Sequence, residues 1–355
     1  MFQNLMNYLQ APGGGRLRLI IFKEKYHKAR REMEIIESIL IADDGRVFPI
    51  VNGIPRMLPT SLVDNIRFCE KYSDELKEYN ISFSSQDIER FKKANDQVKS
   101  RFEFQWRTWG RAKRIYGMDQ NEYKVHIYEH RLQKPIPDEF FRGKVYFEGG
   151  CGHGMVSQIM SPLCKEYIGL DIGVGIDIAR WRSRKLPNVN LIQGDILDLP
   201  IKEKSMDFVF STGVIHHTPD TLQAFRNLAR LPKIGGHLMV WVYPKGGFWW
   251  EYTNRFARFF TTRMPPKLLY LASYAMIPIL YVVPAYAENR PGKNSAKELT
   301  QSIYDWLSPA IQTHHTPQEL ARWFRKAGYG NIEQMVVKTG AIAQRLRCVD
   351  SALNS

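Results

Sequence analysis

Cysteine is scarce in this chain. Cys69, Cys151, Cys164 and Cys348 lie far apart among 355 residues, and no two form a Cys-x-x-Cys pair. That spacing excludes a disulfide framework and a cysteine-based zinc cluster, and it suits a reducing cytoplasm. Met1 to Leu9 lacks the basic segment and apolar core of a signal peptide, so none is read there. Acids are outnumbered, with 36 Asp and Glu against 50 Lys and Arg, for a formal charge of +14. Such an excess favours anionic partners: nucleic acid, phosphorylated compounds or an anionic membrane surface. An unbroken membrane-spanning run is also missing. The uncharged stretch from Leu268 to Tyr286 approaches spanning length but is interrupted by Pro278 and Pro284. The remaining composition, 44% hydrophobic and 24% charged, is that of a globular protein long enough for more than one minimal domain.

What is present centres on one stretch. Val145-Tyr146-Phe147-Glu148 is a short apolar run ending in an acid, and Gly149, Gly150, Cys151, Gly152, His153 and Gly154 follow before an apolar helical segment. The pattern predicts a buried strand, a tight turn and a helix start. Glycines in such a turn let backbone N–H groups approach a ligand, and the helix N-terminus adds a positive dipole end. The glycine spacing is not that of the dinucleotide fingerprint, whose third glycine comes three positions after the second.

The segment resembles motif I of class I S-adenosylmethionine-dependent methyltransferases of bacterial type, a strand, an acid and Gly-x-Gly-x-Gly. The resemblance implies S-adenosyl-L-methionine as cofactor, with Glu148 near its methionine part and the glycines passing it over the turn. Other landmarks follow in order. Tyr167 to Asp171 predicts a second strand, with Asp171 a ribose ligand beside Ile172. Val189 to Ile196 resembles the adenine corner, implying cofactor contacts from Gly194, Asp195 and Ile196. Met206 to His217 predicts a fourth strand running through Thr212 and Gly213 into a loop facing the methyl group, and Lys233 to Val242 the turn and fifth strand. The fold expected is α/β: a Rossmann-like, seven-stranded, mostly parallel sheet with helices on both faces, whose last strands lie near 332–337 and 340–346.

Around this core, expected at 125–245, four further units are read. Residues 1–60, ending in Pro49-Ile50-Val51-Asn52-Gly53-Ile54-Pro55-Arg56-Met57-Leu58-Pro59, resemble the small zinc-ribbon domain that precedes many bacterial methyltransferase domains. The matched ligand positions are Ala11, Gly14, Ala42 and Gly45, none able to bind metal, so the ribbon is expected metal-free. Residues 61–124 are expected as a helical linker and cofactor-pocket cap, carrying Phe102-x-x-Gln105-Trp106 and Trp109, although aromatics at that spacing also suit a core. Residues 246–300 are an apolar, helical insertion, a lid or membrane-edge element flanked by Arg255, Arg258, Arg263 and Lys267. Residues 301–355 complete the sheet, with a helix starting at Thr316-Pro317-x-Glu319.

Methyl transfer from a sulfonium is an in-line displacement, so alignment and, for a hydroxyl acceptor, proton removal are required. Candidate bases are His216 and His217 in the loop after the fourth strand and His314 and His315 in the C-terminal segment; a structural role suits each equally. The leading expectation is a methyltransferase acting on a small-molecule, sugar or lipid-linked acceptor, cytoplasmic or peripheral at the inner face of the membrane. An RNA methyltransferase is the alternative, disfavoured because basic residues are dispersed and no Asn-Pro-Pro-Tyr-type loop follows the fourth strand. The third alternative, a non-catalytic protein that kept the fold, sits poorly with intact Glu148, Asp171 and Asp195.

Overall fold

The computed structural model describes residues 1–79, 85–114, 118–128, 136–278, 295–334 and 340–345. Five parallel strands form its centre: β5 (Val145–Gly149), β6 (Glu166–Asp171), β7 (Val189–Gln193), β8 (Met206–Thr212) and β9 (Pro232–Trp241). With β10 (Tyr329–Gln334) and β11 (Gly340–Arg345) they make a seven-stranded sheet of order β10-β11-β9-β8-β5-β6-β7, in which β11 runs antiparallel to both its neighbours. The order reverses beside β5, between β6 and β8, and an open α/β sheet binds its ligand outside the carboxyl ends of the strands at that switch.

Alternating side chains divide the core between the two sheet faces. From β5 and β8, Val145, Phe147 and Val209 join Phe225 and Phe324 of the helices α8 (Thr221–Ala229) and α12 (Pro317–Lys326). Tyr146, Phe208 and Phe210 turn to the other face. There they meet α6 (Met155–Met160), α7 (Gly175–Ser183) and α11 (Ala296–Leu307), together with Trp109, which ends the long helix α4 (Ser85–Trp109). Helices cover both faces, as the strand pattern implies.

The N-terminal segment folds as a four-stranded antiparallel sheet, β1 (Leu17–His27), β2 (Glu32–Ala42), β3 (Val47–Val51) and β4 (Ile54–Pro55). Ala11 and Gly14 close one tight turn, Ala42 and Gly45 a second, each through an N–H bond from the glycine to the alanine carbonyl at 2.8 and 2.9 Å. Polar cross-links hold the two turns together. Asp43 accepts from the Arg16 N–H at 2.8 Å, and Arg46 donates to the Pro12 carbonyl at 2.6 Å. The small helices α1 (Ser61–Asp64), α2 (Ile66–Lys71) and α3 (Ser73–Lys77) lead on to α4, and α5 (Gln120–Tyr128) follows it.

After β9 come α9 (Phe248–Thr261) and α10 (Pro266–Ala275), both packed on α11. Among the described residues no helix is long and apolar enough to cross a membrane. The run from Leu268 to Tyr286 opens in α10, and its residues 279–286 lie outside the described residues, as do 335–337 and 346 of the expected last strands.

Candidate active site

The glycine turn leaves β5 fastened to its neighbour, because the N–H groups of Gly150 and Cys151 both donate to the Leu170 carbonyl at 2.7 and 2.9 Å. Gly150 has a positive φ of 85°, and a Cβ there would lie 2.4 Å from Val214. Gly154 caps α6 in the left-handed region, and a Cβ would lie 2.7 Å from Ala179. Glycine is required at both positions. The turn wraps a cavity of about 700 Å3, within the range of small-molecule sites.

Acids mark three corners of that cavity. Glu148 is buried at the end of β5 and accepts a hydrogen bond from the Tyr167 hydroxyl. Burial, reinforced by Asp171, pushes its carboxyl up to about 8. Asp171 ends β6 and accepts 2.8 Å bonds from the Gly152 and Gly173 N–H groups, so the turn and the acid position each other. Each carboxylate oxygen keeps a lone pair for a ligand hydroxyl, and burial raises its pKa to about 6. Asp195 follows β7 and accepts from the Leu197 N–H at 2.8 Å. Burial raises its pKa as well, while a bond from Asn95 of α4 opposes the shift.

Helix α4 spans the far wall. Asn95, Val98, Lys99, Phe102 and Trp106 recur at helical spacing and all line the cavity. Trp106 stacks on His153 with ring centroids 4.6 Å apart and presses on Gly152, where a Cβ would stand 3.0 Å from the indole.

Residues 147–240 match the family model described as "Methyltransferase domain". The demethylmenaquinone methyltransferase of Staphylococcus aureus (strain JH9) is 24% identical over 260 residues, 72% of this chain and 94% of that one. Among solved structures, an S-adenosylmethionine-dependent methyltransferase from Aquifex aeolicus overlays 68% of this chain and 96% of its own at 13% identity and a TM-score of 0.38. One from Mesorhizobium loti overlays 59% and 94% at 16% identity and a TM-score of 0.37. The core is a class I S-adenosylmethionine-dependent methyltransferase.

The methyltransferase cavity fits S-adenosyl-L-methionine, its cofactor, on features of the chain itself. The glycine cradle would be filled by any Cβ at Gly150, Asp171 opens toward the cavity, and the buried Thr212 hydroxyl has no partner among the described residues. Cys151, Gly152, Ile172, Gly194, Ile196 and Gly213 line the same space. Gly149 and Gly154 do not: both are packing positions, Gly149 lying against Leu228. Burial pushes the Cys151 thiol far up, leaving it protonated and inert.

Of the four sequence-derived histidines, His217 alone lines the cavity. Its Nδ1 lies 2.8 Å from the Ile311 carbonyl, which can only accept, so Nδ1 carries the proton and Nε2 the lone pair. Burial lowers its pKa to about 4. His216 is fully buried under the Tyr243 ring, at 3.9 Å between centroids, and neither ring nitrogen has a hydrogen-bond partner among the described residues. His314 is held 2.7 Å from Glu251 and stacks near Trp306, outside the cavity wall. His315 contacts Glu319 at 3.1 Å and Thr313 at 3.1 Å, also away from the cavity.

Sequence reasoning missed Asp305. It lines the cavity from α11 and accepts a 2.7 Å bond from Gln105 of α4, a pairing across 200 positions that no local pattern signals. Asn95 and His153 were missed as well, although His153 lies within the glycine turn and Asn95 stands two helical turns before Phe102. Arg258 corrects an expectation: it is 8% exposed and donates to the Trp306 and Pro309 carbonyls instead of facing an anionic headgroup.

Proposed function

We propose that this methyltransferase acts on a small acceptor with an apolar body, of the lipid-linked class in preference to a sugar. The carrying observation is the aromatic lining of the cavity beyond the cofactor corner. Phe102, Trp241, Tyr243 and Trp306 wall that end, with Asp305, Ser302 and His217 as its polar groups. Such a chamber suits an apolar ring or chain with one polar position to be methylated. The demethylmenaquinone methyltransferase among the relatives supports a small-molecule acceptor.

When bound, the cofactor supplies an electrophilic methyl group on a cationic sulfur. Asp171 would take the ribose hydroxyls, Asp195 and Ile196 the adenine end, and Glu148 with Thr212 the methionine end. His217 would orient the acceptor, because its neutral Nε2 accepts a hydrogen bond at pH 7. A pKa of about 4 makes it a poor final proton sink, so alignment rather than strong base catalysis dominates.

The test incubates purified protein with methyl-labelled cofactor and fractions of a bacterial extract. Label is expected in the organic-soluble fraction, and His217→Gln should lower kcat roughly 10-fold or more with cofactor affinity unchanged. Label confined to RNA would overturn this reading in favour of a nucleic-acid acceptor.

A further inference from the structure

Helix α9 is built inside out. Its inner face is polar and satisfied by hydrogen bonds: Asn254 accepts from the Trp306 indole at 3.1 Å, Glu251 meets His314 at 2.7 Å, and Thr261 donates to the Leu307 carbonyl at 2.9 Å. Its outer face carries Phe248, Trp249, Tyr252, Phe256, Phe259 and Phe260, with Phe248 and Trp249 each 75% exposed. Their spacing puts them along one side of the helix, and the rings touch: Phe248 with Trp249 at 5.5 Å, Phe256 with Phe260 at 5.2 Å and Phe259 with Phe260 at 5.3 Å. The next helix, α10, adds exposed Leu268, Leu271 and Tyr274. A water-facing helix surface is ordinarily polar, and an apolar patch of this kind marks an interaction site.

Charge selects the partner. Lys245, Arg255, Arg263 and Lys267 are all exposed around these aromatics, and Glu251, the single acid of α9, is occupied by His314 and the Gly246 N–H. The whole chain carries +14. We infer that the outer face of α9 docks on an anionic lipid bilayer, its aromatic rings at the depth of the headgroups and its four cations on the lipid phosphates. A lipid surface fits better than single-stranded nucleic acid because the rings stand on the exposed face of a helix, not in a basic groove that would track a phosphate backbone. The surface is tied to the active site, because Trp306, held by Asn254 and Arg258 of α9, also lines the cavity. The inference extends the reading of the acceptor as lipid-linked, and vesicle binding is measured apart from methyl transfer so that either can fail alone.

The full chain is co-sedimented with vesicles of phosphatidylcholine alone and with 30% phosphatidylglycerol. Binding to the anionic vesicles should exceed binding to the neutral ones by at least tenfold at low salt and weaken strongly in 0.5 M salt. The variant Phe248→Ser/Trp249→Ser/Phe256→Ser should lose at least tenfold in binding to anionic vesicles. The variant Lys245→Gln/Arg255→Gln/Arg263→Gln/Lys267→Gln should lose the salt-sensitive part, roughly fivefold for each cation that reaches the anionic plane. Both variants should bind S-adenosyl-L-methionine as the wild type does. Absence of wild-type binding to either vesicle, or full binding by the aromatic variant, overturns the inference. So does a wild-type dimer that ignores vesicles and that the aromatic variant converts to monomer, which would make the face a self-interface. Retention of a single-stranded oligonucleotide in place of vesicles through the same rings would overturn it too.

Discussion

Glu148 sits at the end of β5 with its carboxyl sealed from water and titrating near 8, against an ordinary value of 4.5. The unfolded chain releases that proton near 4.5, whereas the folded protein holds it to about 8, so stability falls as pH rises through that window. Glu148→Gln keeps the shape and removes the titration. In thermal denaturation of cofactor-free protein, its Tm relative to wild type should therefore climb between pH 6 and 9. The same change should lower affinity for the cationic cofactor about 10- to 100-fold at pH 8, the loss of one charge-assisted bond, as calorimetry would show. Equal affinity would remove Glu148 from the cofactor site. Asp171→Ala should weaken cofactor binding by about 2–4 kcal/mol, because two ribose bonds go and the Gly152 N–H loses its acceptor.

Elements differ in how openly the sequence announces them. Thr316, Pro317 and Glu319 predict a helix start, and the structure has a capping box there with Pro at its first turn. Thr316→Ala should cost about 1 kcal/mol in chemical denaturation. Four of the five central strands were legible because each is a short apolar run ending at or beside a glycine or an acid, and β9 because Gly235 and Gly236 precede its apolar run. Which face of α9 looks outward was not legible, because Phe256 and Arg258 sit on opposite sides of one helix and charge alone does not say which is buried. Asp305 was hidden for a different reason: its place depends on α11 crossing α4, a tertiary event with no local signature. In the N-terminal sheet the turns closed at Gly14 and Gly45 occupy the positions expected from the sequence to be metal-free, and Asp43 and Arg46 join them. A chelator should thus leave the Tm unchanged, whereas Asp43→Ala should lower stability by about 1 kcal/mol through loss of the bond to the Arg16 N–H. Stoichiometric zinc in elemental analysis would refute this.

At the scale of the whole molecule, the N-terminal sheet and the methyltransferase core share one hydrophobic interior. Leu5, Leu9, Leu40, Phe48 and Met57 belong to the same buried cluster as Phe147, Ile168, Leu170 and Ile192. Ion pairs cross the seam, Arg30 with Glu166 at 2.9 Å, Arg180 with Glu34 at 2.7 Å and Arg56 with Asp177 at 2.5 Å. Backbone pairing crosses it too, with the Met57 N–H donating to the Gln193 carbonyl at 2.7 Å beside the adenine corner. Separating the two parts would bare apolar surface on both and take Arg30 from Glu166 and Arg180 from Glu34, and the lost apolar burial alone costs several kcal/mol. This shared interior predicts that the two parts unfold together. Thermal unfolding of the full chain should be a single transition, with far-ultraviolet and near-ultraviolet dichroism coincident and the calorimetric enthalpy equal to the van't Hoff value. A chain cut to residues 61–355 should be insoluble, or should bind a hydrophobic dye and fail to retain the cofactor. Two resolved transitions, with a truncated chain that still binds S-adenosyl-L-methionine at full affinity, would show instead that the ribbon is an appended module and that the seam contributes little to the site.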